Sequence, residues 1–211
     1  MAFYKDNELN SILQELKNIG IKRIHYDVMD NIYVPNFTFS TQYLDLLISY
    51  NFDIEVHFMV QDVIKYYLEF KKYKIKALVF HPSVLNKQEI EWIINDAKQN
   101  HIDVGLAINI NEAFEDYLYI FPQTTINLIM GVNAGFGGQT ILNEGIEHLK
   151  QFKQYLTSKN LDIPIIFDGG INNQTIHLIY NDANIIVSGS YLMKSKNLKK
   201  TYLSLLNNKE K

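Results

Sequence analysis

A barrel of eight alternating β-strand and α-helix units, (β/α)8, is the fold class this sequence predicts, with a short or incomplete first strand. Three observations lead there. Apolar runs of strand length alternate with amphipathic stretches along the whole chain. The strand-like runs are short and rich in Val, Ile and Leu without interruption, as expected of parallel strands buried on both faces. The unusual polar residues stand at the C-terminal ends of these runs, where the loops of a barrel form one rim. The rival is an open doubly wound sheet, which normally carries a GxGxxG turn after an early strand; here the glycines come late and in a different pattern.

The elements justify this in order. After a stub of apolar residues at 2–4, residues 6–19 carry Leu9, Ile12, Leu13, Leu16 and Ile19 at helical spacing, closed by Gly20. Residues 23–29 form a strand on which His25, Asp27 and Met29 share one face and Ile24, Tyr26 and Val28 the other. A polar loop runs through Pro35 to a helix at 41–50, followed by an alternating strand at 53–59 and a helix at 62–72 rich in Tyr and Leu. The alternation continues with a strand at 76–81, a helix at 87–100, a strand at 103–109 and a helix at 111–120. It ends with strands at 125–133, 163–170 and 184–190, interleaved with helices at 142–158, 174–180 and 198–206. With no Pro, Gly or Ser linker and no low-complexity tract, residues 1–211 read as one domain.

Composition narrows the function. The 211 residues are 47% hydrophobic and 20% charged, enough apolar material for one sizeable core. A net charge of -3 with scattered Lys and Arg gives no basic stripe for nucleic acid. Without cysteine there is no disulfide framework and no thiolate metal site, so any metal must use His and carboxylate. The N-terminal residues do not read as a signal peptide and no apolar run reaches the length of a membrane span, so the expectation is a cytoplasmic protein without membrane or nucleic-acid partners.

Two constellations carry chemistry. His25 and Asp27, His57, His81, Asn109, Asp168 and Ser190 all fall at or near the ends of strands that would open on one mouth. Two neutral imidazoles and two carboxylates converging from different strands suit a divalent cation of the zinc, manganese or iron type, and His25, Asp27, His57 and Asp168 are the candidates. The plain alternative for His57 is a core histidine bonded to a backbone carbonyl, and His81, before Pro82, reads as a supporting or structural residue. His101, His148 and His177 read as surface residues. The second constellation is glycine: Gly135, Gly137 and Gly138 in NAGFGGQ, Gly169 and Gly170 after Asp168, and Gly189 beside Ser190. Backbone N–H groups at such turns surround a phosphate without Lys or Arg, and barrels often hold phosphate near their last two strands. Each cluster alone would suit an ordinary turn; three at one rim favour a phosphorylated, anionic substrate.

The motifs HYDVMDNIYVPNFTF, VHFMV, MGVNAGFGGQ, FDGGI and VSGS, in this order, resemble the ribulose-phosphate 3-epimerases, from about residue 20 to residue 193. The resemblance implies a (β/α)8 barrel with one divalent metal, zinc first and manganese, iron or cobalt as alternatives, held by His25, Asp27, His57 and Asp168. It also implies that Asp27 and Asp168 act as acid and base, that the glycine loops and Ser190 bind the sugar phosphate, and that the protein forms a homo-oligomer. The expected reaction is interconversion of D-ribulose 5-phosphate and D-xylulose 5-phosphate, a pentose phosphate pathway step. A cation that polarises the ketose carbonyl stabilises the cis-enediolate left by removing the adjacent proton, and a second carboxylate reprotonates the other face. Met29, Met59 and Met130 would line the site as apolar walls, or simply fill the core. Alternatives are an epimerase for a related ketose phosphate such as allulose 6-phosphate, and a non-catalytic sugar-phosphate-binding paralogue. The sequence departs from the family pattern in lacking the first-strand PSIL serine, in Asn31 for Gly, in Ala134 for Pro, and in having no acidic residue after His81 in HPSV.

Overall fold

A computed structural model describes residues 6–38 and 40–207. Seven parallel strands pair in sequence order: β1 Arg23–Met29, β2 Asp53–Met59, β3 Ala77–Phe80, β4 Asp103–Ile108, β5 Asn127–Met130, β6 Ile165–Asp168 and β7 Ile185–Val187. Around them lie α1 Asp6–Asn18, α2 Leu44–Ser49, α3 Val63–Phe70, α4 Lys87–Gln99, α5 Asn143–Ser158, α6 Ser190–Met193 and α7 Leu198–Leu206. The result is a nearly closed β/α barrel. β1 and β7 are the two ends of the sheet, and no strand pairing joins them among the described residues. The short first strand expected at 2–4, which would bring the count to eight, lies outside the described residues.

Alternation along the strands sorts the core into two layers. Outward residues such as Tyr26, Val28, Ile54, Val56, Phe58, Leu78 and Phe80 pack with the apolar stripes of the helices, for example Leu13, Leu47, Phe70 and Ile93. Inward residues Val79, Ala107, Leu128, Met130 and Ile166 fill the barrel, with Met29, Val34 and Met59 above them. On β1 and β2 the inward positions are instead polar: His25, Asp27, Glu55 and His57 occupy places where other strands put aliphatic side chains.

Local signals set the helix ends. Gly20 takes φ 92° after α1 and lets the Ile21 N–H reach back to the Leu16 carbonyl. Asn86 and Glu89 close a reciprocal capping box on α4. At Gly105 a β-carbon would lie 1.4 Å from the Ile126 carbonyl oxygen, so only glycine admits the neighbouring chain. Side chains complete the pairing there: the Val104 N–H donates to Thr125 Oγ1 and the Leu106 N–H to Asn127 Oδ1.

Two expected helices are absent. Residues 111–120 hold only a 3-10 turn at Phe114–Tyr117, followed by another at Phe121–Gln123. Asn109 and Glu112 bond the loop's own N–H groups, and Pro122 withholds a helical donor, while Phe114 and Phe121 turn inward onto Phe152. Residues 174–180 keep a single 3-10 turn, Ile176–Leu178, because Thr175 Oγ1 accepts from the Asn172 N–H and donates to the Gly170 carbonyl. The last strand also ends early, at Val187, so Ser190 opens α6 and does not close a strand.

Candidate active site

Parallel pairing of β1 with β2 places Asp27 opposite His57 and His25 opposite Glu55, while β6 brings Asp168 to the same level of the barrel. His25 Nε2 lies 3.3 Å from Asp27 Oδ1 and 3.7 Å from Asp168 Oδ2; His57 Nδ1 lies 3.3 Å and 3.8 Å from the same two atoms. One donor atom from each of the four residues falls within 4.8 Å of every other. His25 Nε2, His57 Nδ1 and Asp27 Oδ1 are buried and have no hydrogen-bond partner. Orphaned polar atoms at one point are costly unless something binds them, and two nitrogens with two carboxylate oxygens are the donor chemistry of zinc and similar ions. The four residues fit such a cation.

Each imidazole is held by its other nitrogen. His25 Nδ1 is 2.7 Å from Glu55 Oε1, and Glu55 Oε2 accepts from Arg23 Nη1 at 2.8 Å. His57 Nε2 is 3.0 Å from His81 Nε2, and His81 Nδ1 faces Glu112 Oε2 at 3.8 Å, an electrostatic neighbour beyond hydrogen-bond length. With the Nδ1 lone pair of His57 turned to the cluster, its Nε2–H donates to His81, which then carries its own proton toward Glu112. His57 is therefore buried but not bonded to a backbone carbonyl, and the carboxylate that faces His81 comes from the loop after β4. Tyr33 stacks over His81 with ring centroids 5.0 Å apart.

The electrostatics divide the two aspartates. Burial works against ionisation of Asp27, but the imidazoles of His25 and His57 overcome it and hold its carboxyl well below the usual range. Asp168 is pushed up to about 7, by burial first and then by the charges of Asp27 and Glu55, with His25 opposing. Burial, together with neighbouring His81 and His25, lowers His57 to about 4 against the pull of Asp27. His25 goes the other way: burial would lower it, and Asp27, Glu55 and Asp168 raise it well above the usual value. Glu55 stays low in spite of burial because His25 and Arg23 bond it.

Above this cluster opens a cleft of about 460 Å³. Met29, Met59 and Met130 wall its floor, and Gly135, Gly137, Gly138, Gly169, Gly170, Gly189 and Ser190 line its far side. Gly135, Gly138, Gly169 and Gly170 all have positive φ, and a β-carbon at Gly170 would stand 2.3 Å from the Ile141 nitrogen. The loop after β1 reaches the glycine side through Asn36, whose Nδ2 donates to the Gly135 carbonyl. Asn31 takes φ 59°, a left-handed conformation that Asn tolerates better than other non-glycine residues, so its replacement of Gly keeps the turn. His81 and Asn109 do not reach the cleft: His81 lies behind His57, and Asn109 bonds within its own loop. His101 and His177 are exposed; His148 is half-buried on α5.

Sequence reading missed Arg23, Glu55, Glu112, Asn36 and Lys194. For Glu55 a signal existed: it is a charge two residues before His57, on the face that otherwise points into the barrel.

Fold and site together define a β/α-barrel protein with a two-histidine, two-aspartate donor set beneath a glycine-walled cleft. A family model, the ribulose-phosphate 3 epimerase family, matches residues 4–193. A ribulose-phosphate 3-epimerase of Buchnera aphidicola (subsp. Acyrthosiphon pisum) is 33% identical over 194 residues, 90% of this chain and 84% of that protein. Its namesakes from Mycoplasma pneumoniae and Escherichia coli K12 are 33% and 29% identical, over 87% and 86% of this chain and 82% and 81% of their own lengths. The chain belongs to the ribulose-phosphate 3-epimerase family, and is an isomerase-class enzyme. Among solved structures, Mycobacterium tuberculosis tryptophan synthase matches with TM-score 0.65 at 12% identity, covering 94% of this chain and 85% of that one. Orotidine 5'-monophosphate decarboxylase from Sulfolobus solfataricus matches with TM-score 0.61 at 15% identity, covering 94% and 89%; both share the barrel fold alone.

Proposed function

We propose that this protein is a metal-dependent epimerase that interconverts D-ribulose 5-phosphate and D-xylulose 5-phosphate. The observation that carries the reading is the pair Asp27 and Asp168, two carboxylates from β1 and β6 that line one cleft and share a donor cluster with His25 and His57 in which all four donor atoms lie within 4.8 Å of one another. A divalent cation held by His25, Asp27, His57 and Asp168, zinc first by donor chemistry, supplies polarisation of the substrate carbonyl.

The chain's own groups do the rest. Asp27, ionised, takes the proton from the carbon beside the carbonyl; the electrons of that C–H bond move into the enediolate. Asp168, protonated, returns a proton to the opposite face of the same carbon, which inverts it, and in the reverse reaction the roles exchange. Met29, Met59 and Met130 keep bulk water from the planar intermediate. The turns at Gly135–Gly138, Gly169–Gly170 and Gly189–Ser190 direct backbone N–H groups and a hydroxyl at the phosphate, fixing the reacting carbon over the aspartates. In this reading the 211 residues act as one barrel domain in the cytoplasm, within a homo-oligomer.

A coupled assay on both pentulose phosphates, with metal-loaded and chelator-treated protein in deuterium oxide, tests the proposal. Turnover with one solvent deuteron entering C3, lost on chelation and restored by metal, supports it. Faster turnover on allulose 6-phosphate reassigns the substrate, and metal-loaded protein that binds ketose phosphate without exchange at C3 makes it a binding paralogue.

A further inference from the structure

The turns that wall the cleft offer a phosphate only backbone dipoles and one hydroxyl, while the charges nearest the substrate's other end, Asp27 and Asp168, are carboxylates. The cation proposed at the His and Asp cluster balances those carboxylates at the reacting end, and leaves the phosphate end of the cleft to be matched by charge from elsewhere. Among the described residues lining the cleft, Lys194 is the one cation. It follows directly after α6, where its N–H bonds the Ser190 carbonyl at 3.1 Å, and its side chain turns back toward the loop after β5. At Gly138, φ 81°, a β-carbon would stand 3.6 Å from Ser190 Oγ and 3.7 Å from Lys194 Nζ. The ammonium, the hydroxyl and the left-handed glycine therefore border one small volume at the end of the cleft away from the His and Asp cluster.

We infer that Lys194 is a specificity residue, the counter-ion of the substrate's phosphate dianion, which adds charge recognition to what the glycine turns provide through backbone N–H groups alone. This rests on the ketose-phosphate reading of the same site. The lysine discriminates by charge, favouring a dianionic terminus over a monoanionic or neutral one, and a point charge on a flexible stem does this without fixing a bidentate geometry. Because the residue is exposed, its contribution is screened by salt.

The test uses the full, metal-loaded chain with K194M and K194R, and inorganic phosphate as the probe, followed both calorimetrically and as a competitive inhibitor. For K194M, KM for ribulose 5-phosphate and the inhibition constant of phosphate rise about 10-fold, the size of one lost charge-assisted contact. K194R retains near-normal values, and the rise of KM with ionic strength is shallower in K194M than in the unmodified protein. If K194M matches the unmodified protein in both constants while turnover is normal, this inference falls and the epimerase reading stands. If the unmodified protein binds phosphate through Lys194 but exchanges no substrate proton, the epimerase reading falls and the anion site stands. Failure of the unmodified protein to bind phosphate while it turns over ribulose 5-phosphate overturns this inference and leaves the epimerase reading standing.

Discussion

Glu55 shows how much at this site depends on a residue that touches no substrate. It is a fully buried carboxylate bonded on one oxygen to His25 Nδ1 and on the other to Arg23. Partners of this kind fix the tautomer of a ligating imidazole and raise its basicity. E55Q keeps the shape and removes the charge; divalent-metal affinity should drop about 10- to 100-fold, read by chelator competition, with the circular dichroism spectrum unchanged. R23M leaves the Glu55 carboxylate buried with one partner fewer, and should cost about 1–3 kcal/mol of stability in urea unfolding. At the aspartates, D27N and D168N should each lower kcat about 100- to 10,000-fold, in both reaction directions, because each carboxylate serves as base one way and acid the other. Equal rates in one direction for either variant would refute the paired roles. His25, Asp27, His57 and Asp168 were legible in the sequence because an apolar strand has no structural reason to end in His or Asp. Arg23 and Glu112 were not, because their partners are remote in sequence and met only by strand register and loop packing.

The element that carries most of the site's shape is the loop after β1. Asp30 Oδ1 accepts from the Ile32 and Tyr33 N–H groups, and Oδ2 accepts from the Gln61 N–H at 2.7 Å, tying the loop to the end of β2. Burial opposes the charge, and these donors together outweigh it and hold the Asp30 carboxyl below its usual value. A depressed folded value means the contribution is fully present above the unfolded carboxylate value of about 3.9 and is lost as pH falls through the folded one. D30A should remove that part of the acid dependence and raise KM, as the Asn36 bridge to Gly135 loses its anchor; an unchanged acid-unfolding midpoint would contradict this. At β4, G105A drives a methyl into the Ile126 carbonyl and should prevent normal folding, seen as loss of soluble expression. The strands were readable from their period of two. The missing helices were not, because Thr175, Asn109 and Pro122 decide those segments through local bonds that outcompete a helical pattern.

At the scale of the whole molecule, a cation would link strands that lie far apart in the chain, with His25 and Asp27 on β1, His57 on β2 and Asp168 on β6. A ligand bound only by the folded state stabilises by mass action, about 2.7 kcal/mol at a hundred times its dissociation constant. For a chain of this size that raises Tm by about 5–10 °C, so zinc should shift the thermal midpoint upward and chelation should reverse it. A midpoint indifferent to zinc, manganese, iron and cobalt would argue against a metal at this cluster. The sequence by itself determined the order of the strands, the inward face of β1 and β2, the four cluster residues and the glycine turns, because these follow from alternation, spacing and backbone freedom, all local properties of the chain. Tertiary structure alone decided which nitrogen of each histidine turns to the cluster, which carboxylates support them, and that Lys194 borders the glycine end of the cleft. Those outcomes depend on strand register and on loops folding back across the barrel, contacts between residues remote in the chain, 99 positions apart from Asn36 to Gly135, which no local pattern encodes.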